Sequence, residues 1–169
     1  MYILGISCYY HDAAACLIKD GKIIAAAEEE RFTRKKHDPN FPINSINFCL
    51  EKAKITSKDL SYIGFYEKPL IKFERMLSQH LEMFPYSFWS FYRAIPSWLL
   101  EKLMIPKILK KKIKYGRDVL FIDHHLAHAA SSFLVSPFEK AAILTTDGVG
   151  EWTTTSLGCG EGNKISLLK

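Results

Sequence analysis

Tyr2 to Ala27, YILGISCYYHDAAACLIKDGKIIAAA, sets the architecture. The apolar run Tyr2 to Tyr9 reads as a strand, and His11-Asp12 forms the tip that follows it. Ala13 to Ile18 returns as a second strand, Asp20-Gly21 is a tight hairpin signal, and Lys22 to Ala27 is a third strand. The result is an antiparallel three-stranded meander whose first turn carries His11 and Asp12. The small side chains of Ala13, Ala14 and Ala15 let another group approach that tip closely.

Working outward, Pro42 to Ala53 has Ile43, Ile46, Phe48, Leu50 and Ala53 on a broad apolar face, the pattern of an amphipathic helix with proline in its first turn. Ser61 to Tyr66 is a short strand. Val119 to Ile122 is a buried strand running into Asp123 and the Leu- and Ala-rich stretch HHLAHAASSF, a helix that Asp123 is placed to cap. The order β-β-β-α-β-α, then β-α ending at Val135, describes an α/β domain. Its mixed sheet has about five strands, the first three antiparallel, with helices on its faces.

Ala141 to Lys169 echoes the opening meander: strand, acidic-Gly tip, strand, Gly-rich turn, strand, with Gly160-Glu161-Gly162-Asn163 in the place of Asp20-Gly21. A duplicated fold is therefore expected. Its first half occupies residues 1–139 and an incomplete second half residues 140–169, as in one piece of a longer protein. Phe73 to Arg117 is an aromatic and basic insertion in the first half. Its prolines 85, 96 and 106 are expected to break it into short helices, which spoils any long membrane-surface helix. Lys110, Lys111 and Lys112 suit a solvated helix C-terminus.

With 48% hydrophobic and 24% charged residues, the composition is that of a soluble globular chain long enough for a real core. No apolar run reaches the roughly 18–20 residues that span a bilayer, and the N-terminus enters a strand without a basic leader, so no stable membrane insertion and a cytoplasmic setting are expected. Cys8, Cys16, Cys49 and Cys159 have no metal-ligand spacing and read as free thiols of a reducing compartment. A net charge of +5, carried locally, points to anionic ligands rather than a general nucleic-acid surface.

His124 and His128 are four residues apart and share one helix face. They lie in the first turns, where the positive end of the macrodipole disfavours imidazolium and so favours the metal-binding form. Asp147 ends the neighbouring apolar strand, Ala141 to Thr146. Two imidazoles and one carboxylate are a recognised ligand set for Fe2+, and Zn2+ or Mn2+ can use it too. HHLAH lacks the glutamate of a zinc protease helix, which excludes that class. His11, at a strand end, is a candidate general base towards a hydroxyl. Arg31, Arg34, Lys35 and Lys36, in EEERFTRKKH, either hold phosphate or carboxylate groups or pair with the adjacent glutamates. Gly148, in the DGVGE stretch, leaves room for backbone N–H groups to approach a phosphate, although no Walker A or GxGxxG pattern is present.

Jointly, HDAAACL, AEEERFTRKKH, DHHLAHAASSF and LTTDGVGEW resemble the O-carbamoyltransferases of antibiotic and nodulation-factor biosynthesis, in the right order over nearly the whole chain. Phe73 to Arg117 is the part without a clear match. The resemblance implies a ribonuclease-H-like fold of the actin, Hsp70 and sugar-kinase superfamily. It also implies a two-stage reaction. A YrdC-like domain, expected downstream or as a partner, uses ATP to turn carbamoyl phosphate into carbamoyl-adenylate and pyrophosphate. The present domain then passes the carbamoyl group to the hydroxyl of a small molecule. On this resemblance His124, His128 and Asp147 are metal ligands, with iron favoured, and His11 deprotonates the acceptor. Lys36 meets the carbamoyl-adenylate, and Arg31 and Gly148 fall in the nucleotide motifs. His125 either faces the core or replaces His124. The chain alone is expected not to run the full reaction. The alternatives are a relative of the tRNA threonylcarbamoyl-adenosine synthesis protein, or a non-catalytic remnant of the fold.

Overall fold

The computed structural model describes residues 1–100, 102–148 and 150–168; Glu101 of the insertion, Val149 of the DGVGE stretch and Lys169 at the end of the second meander lie outside the described residues. In chain order the elements are β1 (Tyr2–Ser7), β2 (Ala14–Lys19), β3 (Lys22–Glu28), α1 (Glu30–Thr33), α2 (Ile43–Ala53), β4 (Tyr62–Phe65) and α3 (Pro69–Glu82). They continue with α4 (Phe88–Leu100), α5 (Ile105–Ile113), β5 (Val119–Phe121), α6 (His124–Phe133), β6 (Lys140–Thr146), β7 (Thr155–Glu161) and β8 (Lys164–Leu168). Packing divides them into two compact units, Met1–Phe65 with Ala94–Phe121, and Tyr66–Arg93 with Ile122–Lys169. In this division Tyr66–Arg93 and α6 are grouped with β6, β7 and β8.

The first unit is built on a five-stranded sheet of order β3-β2-β1-β4-β5. The β1–β2 and β2–β3 pairs are antiparallel, whereas β4 runs parallel to both β1 and β5. This is the mixed, ribonuclease-H-like sheet expected. Its turn chemistry explains the opening meander: Asp20 (φ 49°) and Gly21 (φ 78°) both take left-handed backbone, as a two-residue hairpin that follows strand twist requires. Leu4 and Ile6 of β1 are buried with Leu17 of β2 and Ile63 and Phe65 of β4. Helix α2 lies against β2 and β3 and adds Ile46 and Cys49 to the buried set; Ile105 and Leu109 of α5 are also buried.

Helix α2 begins under an unusual cap. Pro42 stands at its N-cap and offers no side-chain bond, but the buried Glu29 carboxylate supplies the acceptors. Its oxygens accept from Asn44 N (3.2 Å), Asn44 Nδ2 (2.7 Å), Ser45 N (2.9 Å) and Ser45 Oγ (2.8 Å). Two of the helix's orphan N–H groups are thereby satisfied by a negative charge at the positive end of the dipole.

In the insertion, Pro106 opens α5 and Pro85 falls between α3 and α4, but Pro96 lies inside α4, so it does not divide that helix as expected. Leu81, Phe84, Tyr86, Trp89 and Tyr92 remain more than half exposed. Among the described residues, no helix is long and apolar enough to cross a membrane.

The second unit carries the antiparallel sheet β6-β7-β8 with α6 on one face. Ala129 and Phe133 of α6 pack on Ile143, with Ala141, Ile165 and Leu167 around them. Gly160 makes this approach possible: a Cβ there would run into the Phe133 ring. The turn into β8 opens on Gly162 (φ 59°), a position that favours glycine.

Candidate metal centre

Two elements of the second unit deliver the three ligands. Helix α6 presents His124 and His128 one turn apart, and Asp147 stands where β6 ends. The ladder continues one step past β6, since Asp147 N donates to Thr154 O at 2.8 Å, which fixes the residue at the mouth of the 147–154 loop. Asp123 is the N-cap of α6 but does not cap with its side chain. That carboxylate is instead drawn away by Lys68, whose Nζ lies 2.7 Å from it.

His124 Nε2 lies 3.0 Å from His128 Nε2 and 2.9 Å from Asp147 Oδ2. Each contact alone has hydrogen-bond length, but the proton count does not close. His124 Nε2 either donates one proton or accepts one, and the Asp147 carboxylate only accepts, so no choice of tautomers satisfies both contacts. Ligand atoms about 2.1 Å from one ion and at right angles, as in octahedral coordination, are about 3 Å apart, which is the spacing of these two pairs. Burial is the largest influence on His124 and pulls its pKa below the ordinary 6.5; His128 acts the same way, while Asp147 and Glu67 oppose. The imidazole is thus kept in the neutral form that binds metal. His124 Nδ1 is buried without a hydrogen-bond partner, an orphaned polar atom on the ring that would carry the ion. Donor set, spacing and charge all fit a divalent cation.

His125, left open by the sequence, points into the core and does not replace His124. Its Nε2 donates to Thr153 O at 2.7 Å, and its Nδ1 meets Thr145 Oγ1 at 2.6 Å and Ser156 Oγ at 3.1 Å. Gly150 fits under this arrangement, since a Cβ there would stand 2.8 Å from Thr153 O and 3.3 Å from His125 Nε2. Gly148 is exposed and uncrowded. Glu151, also buried, accepts the Lys68 backbone N–H at 2.7 Å just before α3.

The remaining candidates belong to the first unit. His11 and His37 flank Asp12, each with Nδ1 at 2.7 Å from one of its oxygens. Those two contacts, that of His37 first, hold the Asp12 carboxyl below its ordinary value. A carboxylate only accepts, so both rings donate from Nδ1, which leaves Nε2 of His11 with its lone pair outward. The tip itself is pinned by Tyr9 N to Pro39 O (2.7 Å) and Ala13 N to Asp38 O (2.9 Å). Arg31 is exposed and paired with Glu28 (3.3 Å) and Glu30 (3.7 Å). Lys36 is exposed. Asp12, Glu30 and His37 form a second group with metal-ligand spacing, one that sequence reasoning did not single out.

Sequence reasoning also passed over Glu67. A signal was present: like Asp123 and Asp147, it is an acidic residue just beyond an apolar strand.

The family described as Carbamoyltransferase N-terminus matches residues 2–168. A Synechocystis protein of uncharacterised function is 53% identical over 98% of this chain and 28% of its own length. The nodulation protein NolNO of Sinorhizobium fredii is 36% identical over 95% of this chain and 23% of its own. The chain therefore spans about a quarter of the length of these relatives. Among solved structures, a Ppx/GppA phosphatase of Aquifex aeolicus aligns over 99% of this chain and 51% of its own, at 11% identity and a TM-score of 0.42.

Proposed function

Since the chain belongs to the carbamoyltransferase family, with residues 2–168 matching its N-terminal part, we propose that it is the metal- and nucleotide-binding part of an ATP-dependent O-carbamoyltransferase. The observation that carries this reading is the convergence of His124, His128 and Asp147 on one point. The substrate is carbamoyl-adenylate, made from carbamoyl phosphate and ATP by a YrdC-like domain. The acceptor is a hydroxyl of a small molecule, and the setting is the cytoplasm.

In the transfer step the acceptor oxygen attacks the carbamoyl carbon. The bond from that carbon to the adenylate oxygen breaks, and AMP leaves with the electron pair. His11 takes the hydroxyl proton on Nε2, the nitrogen that its hydrogen bond to Asp12 leaves free. Lys36 sets a positive charge against the adenylate phosphate, and Arg31 adds a second once it leaves Glu28. The backbone at Gly148 is open to a phosphate oxygen, since nothing crowds that position. A divalent ion, Fe2+ by preference and Zn2+ or Mn2+ otherwise, held by His124, His128 and Asp147, supplies Lewis-acid polarisation of a carbonyl or phosphate oxygen.

Calorimetric titration of the chain with a hydrolysis-resistant carbamoyl-adenylate analogue, in the presence of Zn2+, tests this. Binding that ATP competes away and that Lys36→Ala weakens about tenfold is the expected result. No binding of the analogue to the Zn2+-loaded chain would contradict it.

A further inference from the structure

Beneath His124 lies a buried ion pair that the transfer step does not use. Glu67 and Lys72 have side chains only 6% and 7% exposed, and Lys72 Nζ meets Glu67 Oε2 at 2.6 Å. Glu67 follows β4 by two residues, and Lys72 sits in the first turn of α3, its backbone N–H bonded to Lys68 O at 3.2 Å. Burying two charges is expensive unless their geometry serves something, and a neutral pair of similar size would fill the space at less cost. The same Glu67 oxygen stands 3.9 Å from His124 Nδ1, the buried nitrogen that has no hydrogen-bond partner among the described residues. On the other side of the molecule's chemistry, the Nε2 of the same ring faces His128 and Asp147. Tyr66 places its ring edge-on to His124, with centroids 5.7 Å apart, which limits how the imidazole turns.

We propose that Glu67 is a positioning residue for the metal centre: it receives the Nδ1–H of His124 when Nε2 takes the ion, and Lys72 holds the carboxylate in place for that contact. The inference deepens the reading of the metal site and rests on it. A ligating imidazole must carry its proton on the other nitrogen, and a fixed carboxylate behind it sets that tautomer, orients the ring and raises its basicity. The remaining gap of 3.9 Å closes with a small movement of the ring or of the Glu67 carboxylate. Once it closes, the orphaned nitrogen has its acceptor, and Lys72, Glu67 and His124 form one chain of charge-assisted contacts ending at the cation.

The test is Zn2+ affinity by chelator competition on the whole chain, with histidine N–H proton resonances recorded on the Zn2+-loaded protein. Wild-type protein should bind one Zn2+ and show a far-downfield Nδ1–H signal from His124. Glu67→Gln should weaken Zn2+ about 10- to 100-fold and move that signal upfield. Because Glu67→Gln removes the carboxylate that faces Lys72, the double variant Glu67→Gln with Lys72→Met is measured beside it; it restores charge balance and should still show both changes. Wild-type affinity and an unmoved signal in the double variant would overturn the role of Glu67 while leaving the metal site standing. If wild-type protein takes up no Zn2+, the reading of the site falls, and this inference falls with it.

Discussion

His125 Nε2 lies 2.7 Å from the carbonyl oxygen of Thr153, so a buried imidazole on α6 ties down the far side of the loop that begins at Asp147. A carbonyl only accepts, which puts a proton on Nε2 and leaves Nδ1 to accept from the hydroxyl of Thr145 or Ser156. His125→Leu would remove these contacts and leave the Thr153 carbonyl unpaired, although Thr145 and Ser156 still bond to each other at 2.6 Å. The expected loss is about 1–3 kcal/mol of stability, read from urea unfolding. Zn2+ affinity should fall as well, because the loop then holds Asp147 less firmly. A variant as stable and as tight-binding as wild type would show that the tie is idle.

Glu29 gives a second test. Four hydrogen bonds end on its buried carboxylate, two of them from the backbone of the first turn of α2. Glu29→Ala should cost about 2–3 kcal/mol, the combined scale of a lost cap and of hydrogen bonds to a charged group. Glu28→Ala, whose side chain is half exposed and paired only at the surface, should cost less than ~1 kcal/mol. Equal unfolding midpoints for the two variants would refute this account of the cap.

These two glutamates mark the limit of what the residue string conveys. The meander, the Asp20-Gly21 hairpin, helix α2 and the pairing of His124 with His128 follow from local periodicity and turn chemistry, and each was legible. Which of Glu28, Glu29 and Glu30 turns inward was not, because that depends on where β3 ends relative to α2, a distant packing relation. Glu67 carried a local signal, its place just past an apolar strand, but its partner His124 is far along the chain and the pairing was not legible. Asp123 shows the converse error. It has the right identity and place for a side-chain cap, yet Lys68 captures it through a tertiary ion pair. Pro96 stays within α4 although a proline removes one helical hydrogen bond.

Glu151 should leave a mark on the pH dependence of stability. Burial raises its carboxyl above the ordinary 4.5, and Asp123 adds to the effect, against the opposing Lys68 N–H. Between 4.5 and the raised native value, the folded chain holds a proton that the unfolded chain has released. This group's contribution therefore favours folding less as pH rises through that window, starting at 4.5. Glu151→Gln cannot titrate and still offers an oxygen to Lys68 N–H. The stability of Glu151→Gln relative to wild type should therefore increase from pH 4 to 7 in urea titrations; a flat or falling difference would contradict the assignment.

Thiol chemistry should follow exposure. Cys159 is exposed on β7, whereas Cys8 and Cys49 are buried. Burial pushes the Cys49 thiol up to about 11, and its Sγ faces Ala15 O (3.6 Å) and Ala25 O (3.5 Å). At pH 8, an aromatic disulfide reagent should modify Cys159 first, with Cys49 reacting only after unfolding, as read by peptide mass spectrometry. Early modification of Cys49 would contradict the packing of α2 on β2 and β3.

In the proposed metal centre His124, His128 and Asp147 hold one divalent cation. The direct measurement is metal content per chain by mass spectrometry after equilibration with Fe2+ under anaerobic conditions and gel filtration. The comparison includes wild type, His124→Ala, His128→Ala and Asp147→Asn, each checked for retained fold by circular dichroism. About one ion per wild-type chain and a loss of most of it in every variant is the predicted result. A metal-free wild type, or variants that retain the full complement, would contradict the account.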